Sequence, residues 1–297
     1  MMVARTVLLL LLSGALPGVA AVTTVRYTDA TTVHQNPNNK FFMLLLEEAL
    51  QASQAEFGAY QLVAVNLVIS QERQLKELNK GTFDVFWTMA TPAREVDALA
   101  VNEPLMKGAY GIRLLVTHRE NVSQLAQVNA LAHLKSIELL SGADWPDTAI
   151  LRRNHLSVTT ELFDKELYVK LRQAPQYVFP RGLLEAPAEL AQRNWPELVL
   201  NRTVILRYPA VMKFFVAKHN TALAKRLQAG LAQLKRTGRF DQLFYQFAPH
   251  AQALAQLSLH GAKIIELRSP FVVSETEKQA ITAEQNALLQ KLGLTLE

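Results

Sequence analysis

The chain of 297 residues contains no cysteine. That excludes disulfides, a thiol nucleophile, thiolate metal sites and lipid attachment through a cysteine. A chain of this length can instead bury a core sufficient for one or two domains. Long apolar runs are also lacking: only residues 7–12, extended at most to Leu16, form one. It is too short for a bilayer span, which takes ~20 residues. Like charges do not cluster either, although the net charge is +5. The one local group, Lys235-Arg236-Thr237-Gly238-Arg239, reads as a cationic helix C-terminus before a glycine cap. No basic stripe with interleaved aromatics is present, so nucleic acid is excluded as a partner.

Catalytic and cofactor signatures are missing too. The seven histidines, at 34, 118, 133, 155, 219, 250 and 260, never stand four apart, which excludes a zinc helix. There is no nucleophile elbow, phosphate loop or dinucleotide fingerprint. No pair of acids stands out as a glycosidase dyad. The reading is a non-enzyme with no catalytic residues, no cofactor and no metal.

What is present begins with residues 1–21, which read as a secretory signal: Arg5, then the short apolar core, then Val19-Ala20-Ala21 as a cleavage site near Ala21. An exported chain of this size without disulfides points to a Gram-negative periplasm.

Residues 81–116 are the most informative stretch. A buried strand over 83–87 runs into a turn and then a helix start, where Thr91 suits the N-cap and Pro92 the first helical position. Arg94 then falls in the first turn, where the helix dipole prefers acids. A bound carboxylate would resolve that misfit, so Arg94 and Thr91 mark a candidate pocket for a small anionic solute. Trp87 and Thr88 end the preceding strand and point to the same crevice, although Trp87 could equally be core. Phe179-Pro180-Arg181-Gly182 reads as a second strand-to-helix junction with an arginine at the helix start. Arg181 could meet the ligand or simply pair with Glu185, one turn on. The loop Ser141-Gly142-Ala143-Asp144-Trp145 makes Asp144 and Trp145 further ligand candidates, with a structural loop anchor as the alternative.

Strands and helices alternate, so the expected class is α/β with mostly parallel sheets. Strands are expected at 22–28, 60–68, 83–87, 136–141, 176–179, 198–207 and 211–218. Helices are expected at 161–174 and 183–193, and one capped by Asn220 carries a core stripe of Leu223, Leu227, Leu231 and Leu234. The division expected is lobe 1 from 22–116 and 212–250, with lobe 2, 117–211, inserted into it. Two hinge strands lie near 112–117 and 212–217, and a helical tail, 251–297, packs on lobe 1.

These motifs resemble the amino-acid-binding family 3 of periplasmic solute-binding proteins, which have the two-lobe type II fold. The resemblance rests on Thr91-Pro92-Ala93-Arg94, Asn102-Glu103-Pro104-Leu105, Gly111-Ile112-Arg113-Leu114-Leu115-Val116 and Gly238-Arg239-Phe240-Asp241-Gln242-Leu243-Phe244. It covers roughly 23–250. It implies a monomer that clamps a ligand by closure of the lobes, with Arg94 on a ligand carboxylate, serving an ABC permease or a membrane sensor. The sequence departs from the family at Pro180 and Arg181, where amino-acid binders place an aspartate, and at the bulky Trp87-Thr88-Met89. The expected solute is small and anionic or polar, amino-acid-like or dicarboxylate-like, and two arginines facing each other across the cleft would better suit the di-anionic case than an ordinary α-amino acid. The alternative is a cyclohexadienyl-dehydratase-like enzyme on the same fold, with Glu185 as its general acid.

Overall fold

The computed structural model describes residues 22–28, 36, 38–67, 69–271 and 274–295. The signal segment 1–21 and Val68, where the second expected strand ends, lie outside the described residues. Eleven strands are described: β1 (Thr23–Thr28), β2 (Tyr60–Val65), β3 (Val85–Met89), β4 (Leu99–Ala100), β5 (Ile112–His118), β6 (Glu138–Gly142), β7 (Ser157–Glu161), β8 (Tyr177–Gly182), β9 (Leu198–Arg207), β10 (Met212–Val216) and β11 (Lys263–Glu266). They form two sheets, ordered β2-β1-β3-β10-β4 and β11-β9-β5-β8-β6-β7.

Each sheet holds a strand that runs against its neighbours. β5 is antiparallel to both β8 and β9, and β10 is antiparallel to β3 and β4. The chain thus passes from the first sheet to the second between Ala100 and Ile112, and returns between Arg207 and Met212. The expected hinge strands are therefore not themselves the crossings. Residues 112–116, expected in lobe 1, are an interior strand of the second sheet, where Ile112, Leu114, Leu115 and Val116 are fully buried.

Local signals place the elements around the cleft. Ser70 Oγ accepts from Arg73 N–H and opens the helix Gln71–Asn79. Thr91 Oγ1 accepts from Arg94 N–H at 3.3 Å and opens the helix Pro92–Asp97, with Pro92 in its first turn. Asn220 caps the helix Thr221–Arg236, whose four stripe leucines are all buried against the helix Asn38–Ala52 and the first sheet. Each contributes about 2 kcal/mol of apolar burial.

In the second lobe three expectations change. The segment after β6 is a helix, Pro146–Arg153, and an edge strand, β7, precedes the helix Asp164–Gln173. β8 continues through Arg181 to Gly182, and the next helix begins only at Ala186. Arg181 is therefore a strand residue, not a helix start.

The tail is not wholly helical and does not rest on lobe 1 alone. β11 adds to the second sheet beside β9, and the helix Glu275–Lys291 lies against the crossings. Gln285 Nε2 donates to Gly108 O at 3.1 Å and to Tyr208 O at 3.0 Å, one carbonyl beside each crossing. Gly111 is required there, because a Cβ would fall 2.0 Å from the Tyr208 carbonyl oxygen.

Candidate functional site

A cavity of about 140 Å³ lies between the two sheets. The first lobe supplies the end of β3 (Trp87, Thr88, Met89), Gln71 and Phe42; the second supplies Asp144, Trp145, Asp147, Arg181 and Glu185. Parallel strands carry their loops to one edge of a sheet, and the cleft forms where two such edges meet.

Trp87 and Thr88 therefore line the cavity. The indole N–H of Trp87 donates to Asn39 Oδ1 at 3.2 Å, and its ring centroid lies 5.5 Å from that of Phe42. Thr88 donates to Gln71 Oε1 at 3.1 Å while accepting from Arg94 Nη1.

Arg94 and Thr91 are not part of the lining among the described residues. Arg94 is 8 % exposed, and its guanidinium is spent on neutral acceptors. Besides Thr88, Nη1 donates to Met89 O at 3.2 Å; Nη2 donates to Gln71 Oε1 at 2.9 Å and to Asp144 O at 3.0 Å. Burial pushes its pKa down to about 10, against the opposing pull of Asp144 and Asp147.

Asp144 reaches this group from the opposite lobe. Its Oδ2 accepts from the Glu72 N–H at 3.0 Å, in the first turn of the helix Gln71–Asn79. Its Oδ1 is buried and has no hydrogen-bond partner among the described residues. Trp145, next to it, stacks on Phe179 with centroids 6.2 Å apart and carries the Arg181 guanidinium 5.1 Å from its ring. Gly142 permits this, since a Cβ there would sit 2.3 Å from the indole.

The floor of the cavity is a buried ionic network. Arg181 makes a two-pronged pair with Glu189, Nε–Oε2 at 2.8 Å and Nη2–Oε1 at 2.6 Å, and lies 3.6 Å from Glu185. Arg113 on β5 pairs with Asp147 at 2.6 Å and Glu185 at 3.2 Å, and its Nε donates to Tyr208 OH at 2.8 Å. Glu185 also accepts from Gly182 N–H at 2.9 Å and from Asn36 Nδ2, which crosses from the first lobe. Burial alone would raise Glu185, but Arg181 and Arg113 hold its carboxyl below the usual range. Its oxygens are thus taken up by two guanidinium groups, a backbone N–H and a carboxamide.

Sequence reasoning does not pick out Arg113, Asp147, Tyr110 or Tyr208. Arg113 offers one signal: a single charge inside the apolar strand β5 requires a buried partner. No group of acids and histidines among the described residues could hold a metal ion.

No protein-family model and no curated protein matches this chain. Solved structures do. A Salmonella typhimurium periplasmic binding protein, described for its high arginine specificity, matches over 75% of this chain and 97% of its own, with TM-score 0.56 and 16% identity. A putative ABC-transporter binding component from Wolinella succinogenes, complexed with lysine, matches over 75% and 95%, with TM-score 0.57 and 17% identity. An ancestral amino-acid-binding protein, described as a precursor of cyclohexadienyl dehydratase, matches over 75% and 95%, with TM-score 0.55 and 15% identity. With two sheets joined by neighbouring crossings at 101–111 and 208–211, a later strand added to the second sheet, and a cavity between them, the chain has the two-lobed type II fold of periplasmic binding proteins.

Proposed function

We propose that this is a periplasmic solute-binding protein that closes its two lobes on a small polar solute and presents it to an ABC permease or a membrane sensor. One observation carries the reading: a polar and aromatic cavity of about 140 Å³ whose lining is shared between both sheets. A cavity of that size holds a solute of about six to ten non-hydrogen atoms. The similar structures are described as binding arginine or lysine, which favours the same role here.

A dicarboxylate fits the site poorly. Among the described residues the lining holds Asp144, Asp147, Asp164 and Glu185 against only Arg113 and Arg181. Enzymatic turnover has less support: Glu185, the only acid suited to a dehydratase step, is held ionised by two arginines. The dehydratase precursor among the similar structures is itself described as an amino-acid-binding protein.

Isothermal titration against amino acids, amines, dicarboxylates and short peptides tests the reading, with small-angle scattering to follow closure. Binding of one class with a dissociation constant of about 10 µM or tighter, at least tenfold weaker in Trp87→Ala, is expected. A chain that neither binds nor changes shape with any of them is not a solute-binding protein of this kind.

A further inference from the structure

Both features of the first lobe suited to holding an anion are already taken by one residue of the second. Asp144 O accepts from Arg94 Nη2 at 3.0 Å, and Asp144 Oδ2 accepts from the Glu72 N–H at 3.0 Å. The Arg94 guanidinium also donates to Thr88 Oγ1, Met89 O and Gln71 Oε1. In the second lobe, Arg181 is matched by Glu189 and Glu185, and Arg113 by Asp147 and Glu185. No cation at the cavity, among the described residues, is left to meet a ligand carboxylate.

What is left is an acceptor. Asp144 Oδ1 is buried without a partner among the described residues, and a desolvated carboxylate oxygen with no donor is costly. An N–H donor bearing positive charge would satisfy both the hydrogen bond and the charge. Trp87, Phe42 and Tyr110 add aromatic surface to the same lining, which favours a cation over an anion.

We infer that the cleft takes a small primary amine without a carboxylate, such as a diamine or a guanidino-amine, with its cationic N–H on Asp144 Oδ1. This rests on the solute-binding reading and narrows it: the chain's own Asp144 stands where a ligand's acid group would otherwise sit. A ligand carboxylate would have to displace Asp144 from both Arg94 and the helix start.

Matched pairs test this without any change to the protein. Titration of the full mature chain with cadaverine against lysine, agmatine against arginine, and putrescine against ornithine compares each amine with its own carboxylated form. At least one amine is expected to bind tenfold or more tighter than its amino acid, and Asp144→Asn to lose that affinity tenfold or more while keeping its melting temperature. An amino acid that binds as tightly as its amine, or a dicarboxylate that binds tighter, overturns the inference and leaves solute binding intact. Silence from every compound, with no closure by scattering, overturns both. Because the pairs are compared on the unaltered chain, the result does not depend on how the variant folds.

Discussion

Arg113 and Asp147 form a 2.6 Å ion pair that ties an interior strand of the second sheet to the first turn of the helix Pro146–Arg153. The same guanidinium reaches Glu185 at 3.2 Å. Arg113→Met would take the guanidinium from the buried Glu185 and the half-buried Asp147, leaving Glu185 with Arg181 at 3.6 Å and Asp147 with the Tyr208 hydroxyl. The expected loss is about 3–5 kcal/mol, read as a fall in melting temperature of about 6 °C or more. The sign with pH follows from Glu185, whose folded pKa is depressed. Its ion pairs stabilise above the unfolded carboxylate value of about 4.3, and that contribution is lost as pH falls through the folded value. A variant as stable as the wild type at pH 7 would show the network to be energetically idle.

Arg181 and Glu189 allow a sharper experiment, because their two-pronged pair is almost wholly buried. Arg181→Met alone leaves Glu189 uncompensated, and Glu189→Leu alone leaves the guanidinium with only the longer contact to Glu185. Each single change is expected to cost about 3–5 kcal/mol, and the double change to cost less than their sum. Urea titration of the four proteins measures the coupling. Strict additivity would mean that the pair does not act as a unit.

The legible parts of this fold are the local ones. Ser70, Thr91, Asn220 and Ser274 each accept from the third residue of the helix that follows, because a cap needs only neighbours in sequence. β7 escapes notice because SVTTE is a half-exposed edge strand with no apolar run. Arg181 reads as a helix start because proline and glycine flank it, yet β8 carries Pro180 opposite Leu115 and continues. At the cleft, local reading marks Arg94 as the anchor of an anion. What it lacks is the loop from 50 residues further on whose carbonyl at Asp144 takes up that guanidinium. Likewise the partner of Glu185 on β5 stands 72 residues away. Long-range pairing decides which charges are free, and no local pattern records it.

His250 supplies a pH test apart from the carboxylates. It is fully buried, with Nδ1–H donating to Phe244 O at 2.9 Å and Nε2 lying 2.8 Å from the Asn38 carboxamide. Burial pushes its pKa down to about 4. The unfolded chain takes up the proton near pH 6.5, so stability is lost as pH falls from there towards the folded value, by about 3 kcal/mol in full. His250→Gln is expected to melt lower at pH 7 and to lose less between pH 7 and 4.5 than the wild type does. Parallel pH curves for the two proteins would exclude His250 as the group responsible.

The tail helix braces both crossings, and Gln285 is its point of contact. The side chain is 2 % exposed and donates to a carbonyl at each crossing, while Lys107 pairs with Glu284 at 3.0 Å nearby. Gln285→Leu removes both donations; Gly108 O keeps the Gly111 N–H, while Tyr208 O loses its Gln285 donor, at a cost of about 1–3 kcal/mol. The two crossings run side by side between the sheets, and a third link follows from β10 to β11, so loosening the brace on the first two should act on lobe motion as well as on global stability. Hydrogen exchange at Gly111 and Tyr208, whose N–H groups donate to Gly108 O and Gly111 O, is expected to speed up at least tenfold in the variant. Exchange at β1 and β6, remote from the brace, should rise only by the global loss. Equal acceleration everywhere would mean that the tail helix supports the whole fold and sets nothing particular at the hinge.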